Sequence, residues 1–471
     1  MNDHAAAPGS VAAIPLSSHS WQTEFRELFK LGWPLVIAQL AQNLLFLTDI
    51  FFIAKLGSTY LAAGALANSL FIAVQLFGVG TIGAVAPLVA QALGARDIKA
   101  VRRTVRAGIW LSLIMFAVLF PLAWNIAGIY RLLGQDPTLV DLSAVFIRYA
   151  IWLLLPTFFI IALRSFLSAH GATRAILVIT LAGVVVNAGL NYALVLGNWG
   201  FPRMELAGSG LSTTIVNVVM FVLTALYIAT HRRFRRYHIF HRIWVPDWTR
   251  LGQLARVGLP IGGMLLAEVA MFTLSSLLQG RIGEAELAAH QIALSVSSLT
   301  FMVPLGIAQA ATVRVGIALG ENNRDGVGKA GWSALILSLS FMSLTAVAFF
   351  LFPHQIVGLF LNGAETANVT TLALAAQFLI VCAVFQIFDG TQVTMSANLR
   401  GLTDTTWPLI IALVGYWIVG FPTAYLCAFT FGFGGVGVWY GLAAGLAAVA
   451  VTLSARFVLR ERLGLTDRAP A

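Results

Sequence analysis

Three acidic residues lie deep inside strongly apolar stretches of the chain, where a charged side chain is energetically unfavourable. They are Asp49 in NLLFLTDIFFIAK, Glu268 in GLPIGGMLLAEVAMF and Asp389 in FQIFDGTQVTM. In a helix surrounded by lipid an ionisable group costs about 2.5 to 3.5 kcal/mol and usually faces an internal cavity. The three carboxyl groups are therefore the first candidates for binding a cation or exchanging a proton.

Amide side chains repeat near these acids. Gln39 and Gln42 precede Asp49 on one polar stripe of helical spacing, and Gln386 precedes Asp389 by three residues. Amide groups can bind a ligand or hydrogen-bond to a neighbouring helix. We expect Gln39, Gln42 and Gln386 to line a cavity next to the acidic residues.

Asn187 and Asn191 in VVVNAGLNYAL stand four residues apart, on one face of a helix. They fit a ligand site as well as interhelical hydrogen bonding, which contributes about 1 to 2 kcal/mol per bond in membranes. Aromatic side chains such as Phe385 and Tyr192 could line an adaptable pocket for organic cations. Packing in the protein core explains these aromatic residues at least as well.

The composition places these residues in a membrane protein. Of 471 residues, 59% are hydrophobic and only 10% are charged, against about 25% charged in a soluble domain. The mean hydropathy is +0.86. The net charge of +10 does not indicate nucleic-acid binding, because no basic stripe with interleaved aromatic residues stands outside the apolar segments. The expected surroundings are membrane lipid.

A spanning helix needs about 20 mostly apolar residues, and twelve runs qualify. They begin near Leu31, Leu61, Gly108, Val145, Ile176, Gly208, Val257, Leu287, Ser333, Leu372, Leu409 and Val436. Lys and Arg concentrate in every second loop, the most basic being HRRFRRYHIFHR after the sixth helix. Basic loops stay in the cytoplasm, so the sequence predicts a multi-pass protein of the cell inner membrane with both termini cytoplasmic.

The two halves of the chain are related by an internal repeat. Sliding the sequence by 226 positions pairs Pro34 with Pro260 and Gly80 with Gly306, without a gap. Each half holds six helices, an even number, so the repeats are parallel. We predict an all-α polytopic membrane protein with two parallel six-helix lobes related by pseudo-two-fold symmetry. The predicted segments are an N-terminal cytoplasmic tail 1–27, an N-lobe 28–230, a basic linker 231–250, a C-lobe 251–458 and a C-terminal tail 459–471.

The polar residues inside the helices are not repeated between the two halves of the chain. The offset places Ser275 opposite Asp49, and Gln42 opposite Glu268. The two lobes are therefore predicted to share a scaffold and to differ in function.

The sequence lacks the motifs that are typical of several other classes of protein. The chain has no G-x-x-x-x-G-K-[ST] loop for ATP, no H-E-x-x-H and no G-x-S-x-G. Asp49 and Asp389 could be imagined as a protease dyad, but the duplication and the other polar groups have no use in that interpretation. Cys382 and Cys427 lie in apolar stretches, which does not indicate a disulfide framework. The chain is therefore expected not to be an enzyme and to need no cofactor.

The longest distinctive segments resemble the multidrug and toxic compound extrusion (MATE) family, in its NorM-type branch. They are GLPIGGMLLAEVAMF, LAAHQIALSVSSLTFMVPLGIAQAATVRVGIALGE and FQIFDGTQVTMSANLRG. The resemblance covers nearly the whole chain and implies an antiporter that exports small organic, often cationic, drugs in exchange for protons or sodium. It implies a cation site at Glu268 and Asp389, and a second coupling site at Asp49 near Asn187 and Asn191.

One position departs from that pattern. Phe385 stands four residues before Asp389, where the sodium-binding relatives have a tyrosine. The departure removes an oxygen ligand and leaves the choice between proton and sodium open. The alternative function is a flippase for lipid-linked precursors, which would favour a basic cavity. In either function we expect a monomer.

Overall fold

The computed structural model describes residues 20–360 and 369–467, and all regular structure in these two ranges is helical. Twelve helices there are long and apolar enough to span a membrane, which confirms the all-α polytopic fold. We number them α1 (Trp21–Ala54), α2 (Ser58–Gly94), α3 (Ile98–Leu132), α4 (Pro137–Ala169), α5 (Thr173–Leu194), α6 (Glu205–Thr230), α7 (Trp248–Ile282), α8 (Glu284–Gly320), α9 (Arg324–Leu351), α10 (Val369–Gly401), α11 (Thr406–Thr430) and α12 (Gly434–Val458).

Several of these helices are interrupted. A short turn divides α2 into Ser58–Ile82 and Val85–Gly94, and α4 contains one turn of 3₁₀ helix at Ile151–Leu153. Two stretches of α11, Val414–Gly420 and Leu426–Thr430, are π-helical. A π-helical turn changes which residues face a neighbouring helix and is frequent at functional sites.

The first helix begins earlier in the sequence than the apolar run from which it was predicted. The first helix begins at Trp21, inside the segment 1–27 that we expected to be a tail, because its first turns are polar and extend beyond the apolar run. Residues 1–19 and 468–471 lie outside the described residues. Cys382 and Cys427 are both free thiols.

The basic linker between the lobes is fixed to α3. Arg106 donates to the carbonyl oxygens of Ile239 at 2.9 Å and His238 at 2.7 Å. Arg103 Nε lies 2.5 Å from Asp247 Oδ2 and lowers the pKa of that carboxyl group below its ordinary value. Because Arg103 is half exposed, this pair contributes less than about 1 kcal/mol. The linker is thus an ordered connection between the lobes.

The lobes, α1 to α6 and α7 to α12, contact each other through equivalent helices: α1 packs on α8 as α7 packs on α2. The repeat is visible in single contacts. A Cβ atom built on Gly94 would lie 2.2 Å from the Ile317 carbonyl oxygen, and one built on Gly320 would lie 2.1 Å from that of Gln91. Both pairs differ by the repeat offset of 226 positions. The pseudo-two-fold axis therefore passes between Gly94 and Gly320.

All of these close contacts lie toward one side of the membrane. A second equivalent pair joins Gly80 to Gly262 and Gly306 to Val36, with added Cβ atoms at 2.8 Å and 2.6 Å from the facing residue. The glycines stand in the halves of α2, α7 and α8 that lead to the basic loops. The lobes are closed against each other on that side, which we call the basic-loop side.

We expect Gly94→Ala and Gly320→Ala to destabilise the protein by about 1 to 3 kcal/mol, the usual cost of overpacking. The added methyl group would meet backbone atoms of the other lobe, which cannot move aside as a flexible side chain can. Thermal unfolding of the purified protein in detergent measures the effect. Gly252→Ala in α7 is the matched control, because its Cβ meets nothing within 4 Å. Equal unfolding temperatures for Gly94→Ala and Gly252→Ala would show that this interface is not tightly packed.

Candidate functional site

The N-lobe holds Asp49 in a complete set of hydrogen bonds from two other helices. Its Oδ1 accepts from Asn187 Nδ2 at 3.0 Å and from Asn191 Nδ2 at 2.7 Å, both on α5. Its Oδ2 accepts from Thr213 Oγ1 on α6 at 2.9 Å. All three donors are uncharged, and no ion pair involves Asp49 in the described part of the chain. The structure thus brings the three predicted residues Asp49, Asn187 and Asn191 together.

The spacing of the asparagines explains this geometry. Residues four apart on a helix present their side chains to the same neighbour, and both asparagines are fully buried. Thr213 did not stand out in the sequence because threonines in membrane helices commonly bond to the carbonyl four residues earlier. Thr213 Oγ1 also lies 3.0 Å from Ser209 O, so its single proton is shared between that carbonyl and Asp49. Only the fold shows that its hydroxyl group also reaches Asp49.

The C-lobe holds the other two acidic residues. Asp389 on α10 is 4% exposed, and its Oδ1 has no hydrogen-bond partner among the described residues. Glu268 on α7 is half-buried and close enough to Asp389 for the two side chains to interact electrostatically. Glu268 and Asp389 therefore lie within electrostatic range of each other, and no hydrogen bond joins them among the described residues. That they share one cation site remains a prediction.

Tyr416 belongs to the same site and was not predicted. It lies in the first π-helical stretch of α11, is 1% exposed, and its hydroxyl group has no partner among the described residues. Tyr416 lies within electrostatic range of Glu268, Asp389 and Arg400, and Arg400 also lies within range of Glu268. A phenolic oxygen therefore lies near the acidic pair although Phe385 supplies none.

The other predicted residues occupy different places. Gln386 is fully buried and accepts a hydrogen bond from Thr300 Oγ1 at 3.2 Å. Phe385 is packed among aromatic side chains, its ring centroid 5.4 Å from that of Trp439. The Tyr192 ring packs edge to face against the Trp199 ring, with centroids 5.3 Å apart, at the end of α5. These two aromatic residues therefore have packing partners of their own.

The two glutamines of α1 also differ. Gln39 is half-buried, whereas Gln42 is exposed and accepts a hydrogen bond from Arg164 Nη1 on α4 at 2.9 Å. Gln42 and Arg164 line a cavity inside the N-lobe. The polar stripe of α1 therefore continues into a cavity on the same lobe as Asp49.

The polar side chains at these sites offer mainly oxygen atoms as ligands for a cation. Among residues 20–360 and 369–467 no three His, Cys, Asp or Glu side chains converge on one point, as a transition-metal site would require. Two carboxyl groups with a phenol and amides nearby suit a proton or a hard cation. These carboxyl groups can therefore bind one small cation and release another in surroundings that contain little water.

Twelve membrane-spanning helices in two repeated lobes, with carboxyl groups inside both lobes and a cavity in the N-lobe, define a membrane transporter rather than an enzyme. The MatE family model matches residues 34–193 and 260–426. The two matched ranges start 226 positions apart, at the repeat offset found in the sequence. The chain belongs to the MatE family.

Known proteins agree with this assignment. The chain is 42% identical over 445 residues to the "Probable multidrug resistance protein NorM" of Mesorhizobium japonicum, covering 94% of this chain and 95% of the relative. The fold matches the crystal structure of the eukaryotic MATE transporter AtDTX14 with a TM-score of 0.86, at 20% identity, over 95% of this chain and 98% of that one. It matches the outward-facing conformation of a multidrug resistance MATE family transporter with a TM-score of 0.83, at 22% identity, over 96% and 99% of the two chains. The chain is a multi-pass multidrug transporter of the MATE and NorM type that handles small organic compounds.

Proposed function

We propose that the protein exports organic, often cationic, compounds in exchange for protons or sodium ions. The observation that carries this proposal is the placement of the acidic residues. Asp49 in the N-lobe and Glu268 and Asp389 in the C-lobe form no ion pair within the described residues. Asp49 accepts hydrogen bonds from two amides, and its helix also lines a cavity through Gln42. Because burying a carboxylate is costly, these groups favour binding a cation. In the C-lobe, Arg400 offsets part of the charge of Glu268.

Competition for the same negative charge would couple the two movements. If an organic cation and the coupling ion both need Glu268 and Asp389, or Asp49, then binding of one expels the other. Such competition is a coupling free energy and acts equally in both directions. In this proposal Glu268 and Asp389 hold the coupling ion, and Asp49, held by Asn187 and Asn191, titrates or pairs with the substrate.

The interface between the lobes supports alternating access. The close glycine contacts between the lobes in the described part of the chain, such as Gly94 with Ile317, lie on the basic-loop side. Because basic loops mark the cytoplasm, we assign this side to the cytoplasm of the inner membrane and place both termini there. The structure then represents the outward-open state. Export requires a second state in which the same interface opens, and one chain with both lobes suffices for this cycle.

The experiment is efflux of rhodamine 123, a cationic fluorescent ester, from proteoliposomes. A proton gradient and a sodium gradient are imposed in separate runs, with empty liposomes as the control. We expect one gradient to drive efflux, and that gradient identifies the coupling ion. If neither gradient moves the dye in protein that is folded and monodisperse, cation-coupled export of organic cations is wrong.

A further inference from the structure

The basic linker between the lobes, residues 231–250, has a buried face and an exposed face. Phe234, Tyr237 and Ile239 are fully buried and belong to one hydrophobic cluster with residues of α4. The ring of Tyr237 packs edge to face against that of Phe166 on α4, with centroids 5.3 Å apart. Most of the other side chains of the linker are exposed. The linker therefore lies on the surface of the N-lobe and presents a second face outward.

Hydrogen bonds from α3 fix the depth of the linker in the membrane. The apolar run of α3 begins near Gly108. Trp110, in the first turn of this run, donates from Nε1 to the carbonyl oxygen of Ile243 at 2.8 Å. Arg106, one turn earlier on α3, donates to two other carbonyl oxygens of the linker. Because a spanning helix becomes apolar where it enters the hydrocarbon core, this part of the linker lies in the headgroup layer.

Two apolar side chains next to this contact are exposed. Trp244 and Val245 follow Ile243 directly and are 81% and 68% exposed. Tryptophan is enriched at membrane interfaces because its large ring is apolar and its N–H group is polar. The lobes are closed against each other on the basic-loop side, so there is no water-filled opening between them for these side chains to face. We infer that they face lipid.

The exposed face of the linker is positively charged. Residues 231–248 contain five arginines and one acidic residue, Asp247, which already pairs with Arg103 of α3. None of the five arginines forms an ion pair in the described part of the chain, and four of them are exposed. They are Arg232, Arg233, Arg235, Arg236 and Arg242. Clusters of about four to eight basic residues next to a spanning helix attract anionic lipids.

The linker also has a defined backbone shape. His238 and Arg242 have φ angles of 46° and 56°, a left-handed conformation that residues other than glycine adopt only where their surroundings require it. The hydrogen bonds from α3 to the carbonyl groups of His238 and Ile243 hold the chain at these two positions. The basic and aromatic side chains are therefore arranged before a ligand binds.

We propose that the exposed face of the linker is a binding surface for anionic phospholipid. Its arginines pair with the headgroup phosphates, and the ring of Trp244 lies beside the first carbons of the acyl chains. Guanidinium groups bind phosphate oxygens through paired, charge-assisted hydrogen bonds. The inference goes beyond the proposed function and does not depend on which compound or ion is transported.

The test measures which lipid lies next to Trp244. The protein is reconstituted in phosphatidylcholine with brominated acyl chains, which quench nearby tryptophans. Unbrominated phosphatidylglycerol or phosphatidylcholine then replaces it in increasing proportion. The chain has 12 tryptophans, so the signal of Trp244 is the difference between the wild type and Trp244→Phe. Recovery of this signal gives the binding of phosphatidylglycerol relative to phosphatidylcholine.

We expect the wild type to prefer phosphatidylglycerol. The preference should fall by up to about fivefold for each arginine removed in Arg242→Gln and in Arg235→Gln/Arg242→Gln, and it should also fall at high salt. Arg324→Gln/Arg462→Gln is the matched control. It removes the same charge from two exposed arginines at the basic-loop side of the C-lobe, outside the linker, and should keep the wild-type preference.

Other results would overturn the proposal. Equal binding of the two lipids by the wild type would show that the linker does not select anionic headgroups. An equal loss of preference in the control pair would assign the effect to the overall charge of this side. If quenching is the same in the wild type and Trp244→Phe, this ring does not face lipid. A dimer in lipid-free detergent that Trp244→Ser dissociates would assign the surface to a second copy of the chain.

Discussion

Asp389→Asn and Glu268→Gln are expected to reduce ion-driven dye efflux at least tenfold, while the protein remains folded. Each substitution keeps the size and shape of the side chain but removes its ability to carry a negative charge or exchange a proton. Coupling free energies between two sites are commonly about 1 to 3 kcal/mol, or 5- to 150-fold. Because the two acids lie within electrostatic range of each other, the double variant should be no worse than the more severe single variant.

The matched control is Asp141→Asn, whose carboxylate is 69% exposed and pairs with the equally exposed side chain of Arg131. It should transport like the wild type. Efflux of rhodamine 123 under the effective gradient is the measurement, with thermal unfolding as the check on folding. Normal gradient-driven efflux in Asp389→Asn would remove this residue from the coupling mechanism.

The second large effect concerns the closed side of the transporter. Glu24 at the start of α1 and Arg314 on α8 form a bidentate ion pair with side chains 1% and 2% exposed. The pair joins the two lobes on the basic-loop side. Removing one partner of a buried pair leaves the other charge uncompensated and costs about 3 to 5 kcal/mol. We expect Arg314→Gln to lower thermal stability and to open this side.

Arg324→Gln is the control for this prediction. Its pair with Asp467 has the same 2.5 Å separation but is 59% and 52% exposed, so its loss should cost less than about 1 kcal/mol. Opening is measured as labelling of a cysteine introduced at Ala90, which contacts Gly316 of the other lobe. Exchanging the charges, Glu24→Arg with Arg314→Glu, should restore part of the protection. Equal behaviour of Arg314→Gln and Arg324→Gln would show that the buried pair does not hold the lobes together.

Helical spacing and the family resemblance together anticipated one cluster of side chains. Asn187 and Asn191 are four apart and buried in α5, and Asp49 is the nearest charged group that could use them. The repeat offset likewise anticipated the paired contacts of Gly94 and Gly320. These features are visible in a sequence because they depend on helical periodicity or on duplication.

The remaining contacts depend on how distant segments meet. Glu24 and Arg314 are 290 positions apart, and Glu24 stands in a segment expected to be a tail. Tyr416 reaches the acidic pair from a π-helical stretch, which a regular 3.6-residue period does not describe. The cavity that Arg164 lines exists only where α1, α4, α5 and α6 pack together.

The central claim is that the organic cation and the coupling ion move in one coupled process. Because a coupling free energy acts equally in both directions, the most direct test is to drive the coupling ion with the organic cation. Proteoliposomes are prepared with no ion gradient, and a gradient of rhodamine 123 alone is imposed while the internal pH or sodium concentration is recorded. We predict that the dye gradient drives the coupling ion in the opposite direction in wild-type protein and not in Asp389→Asn. Dye movement without any counter-movement of protons or sodium in the wild type would contradict coupled exchange.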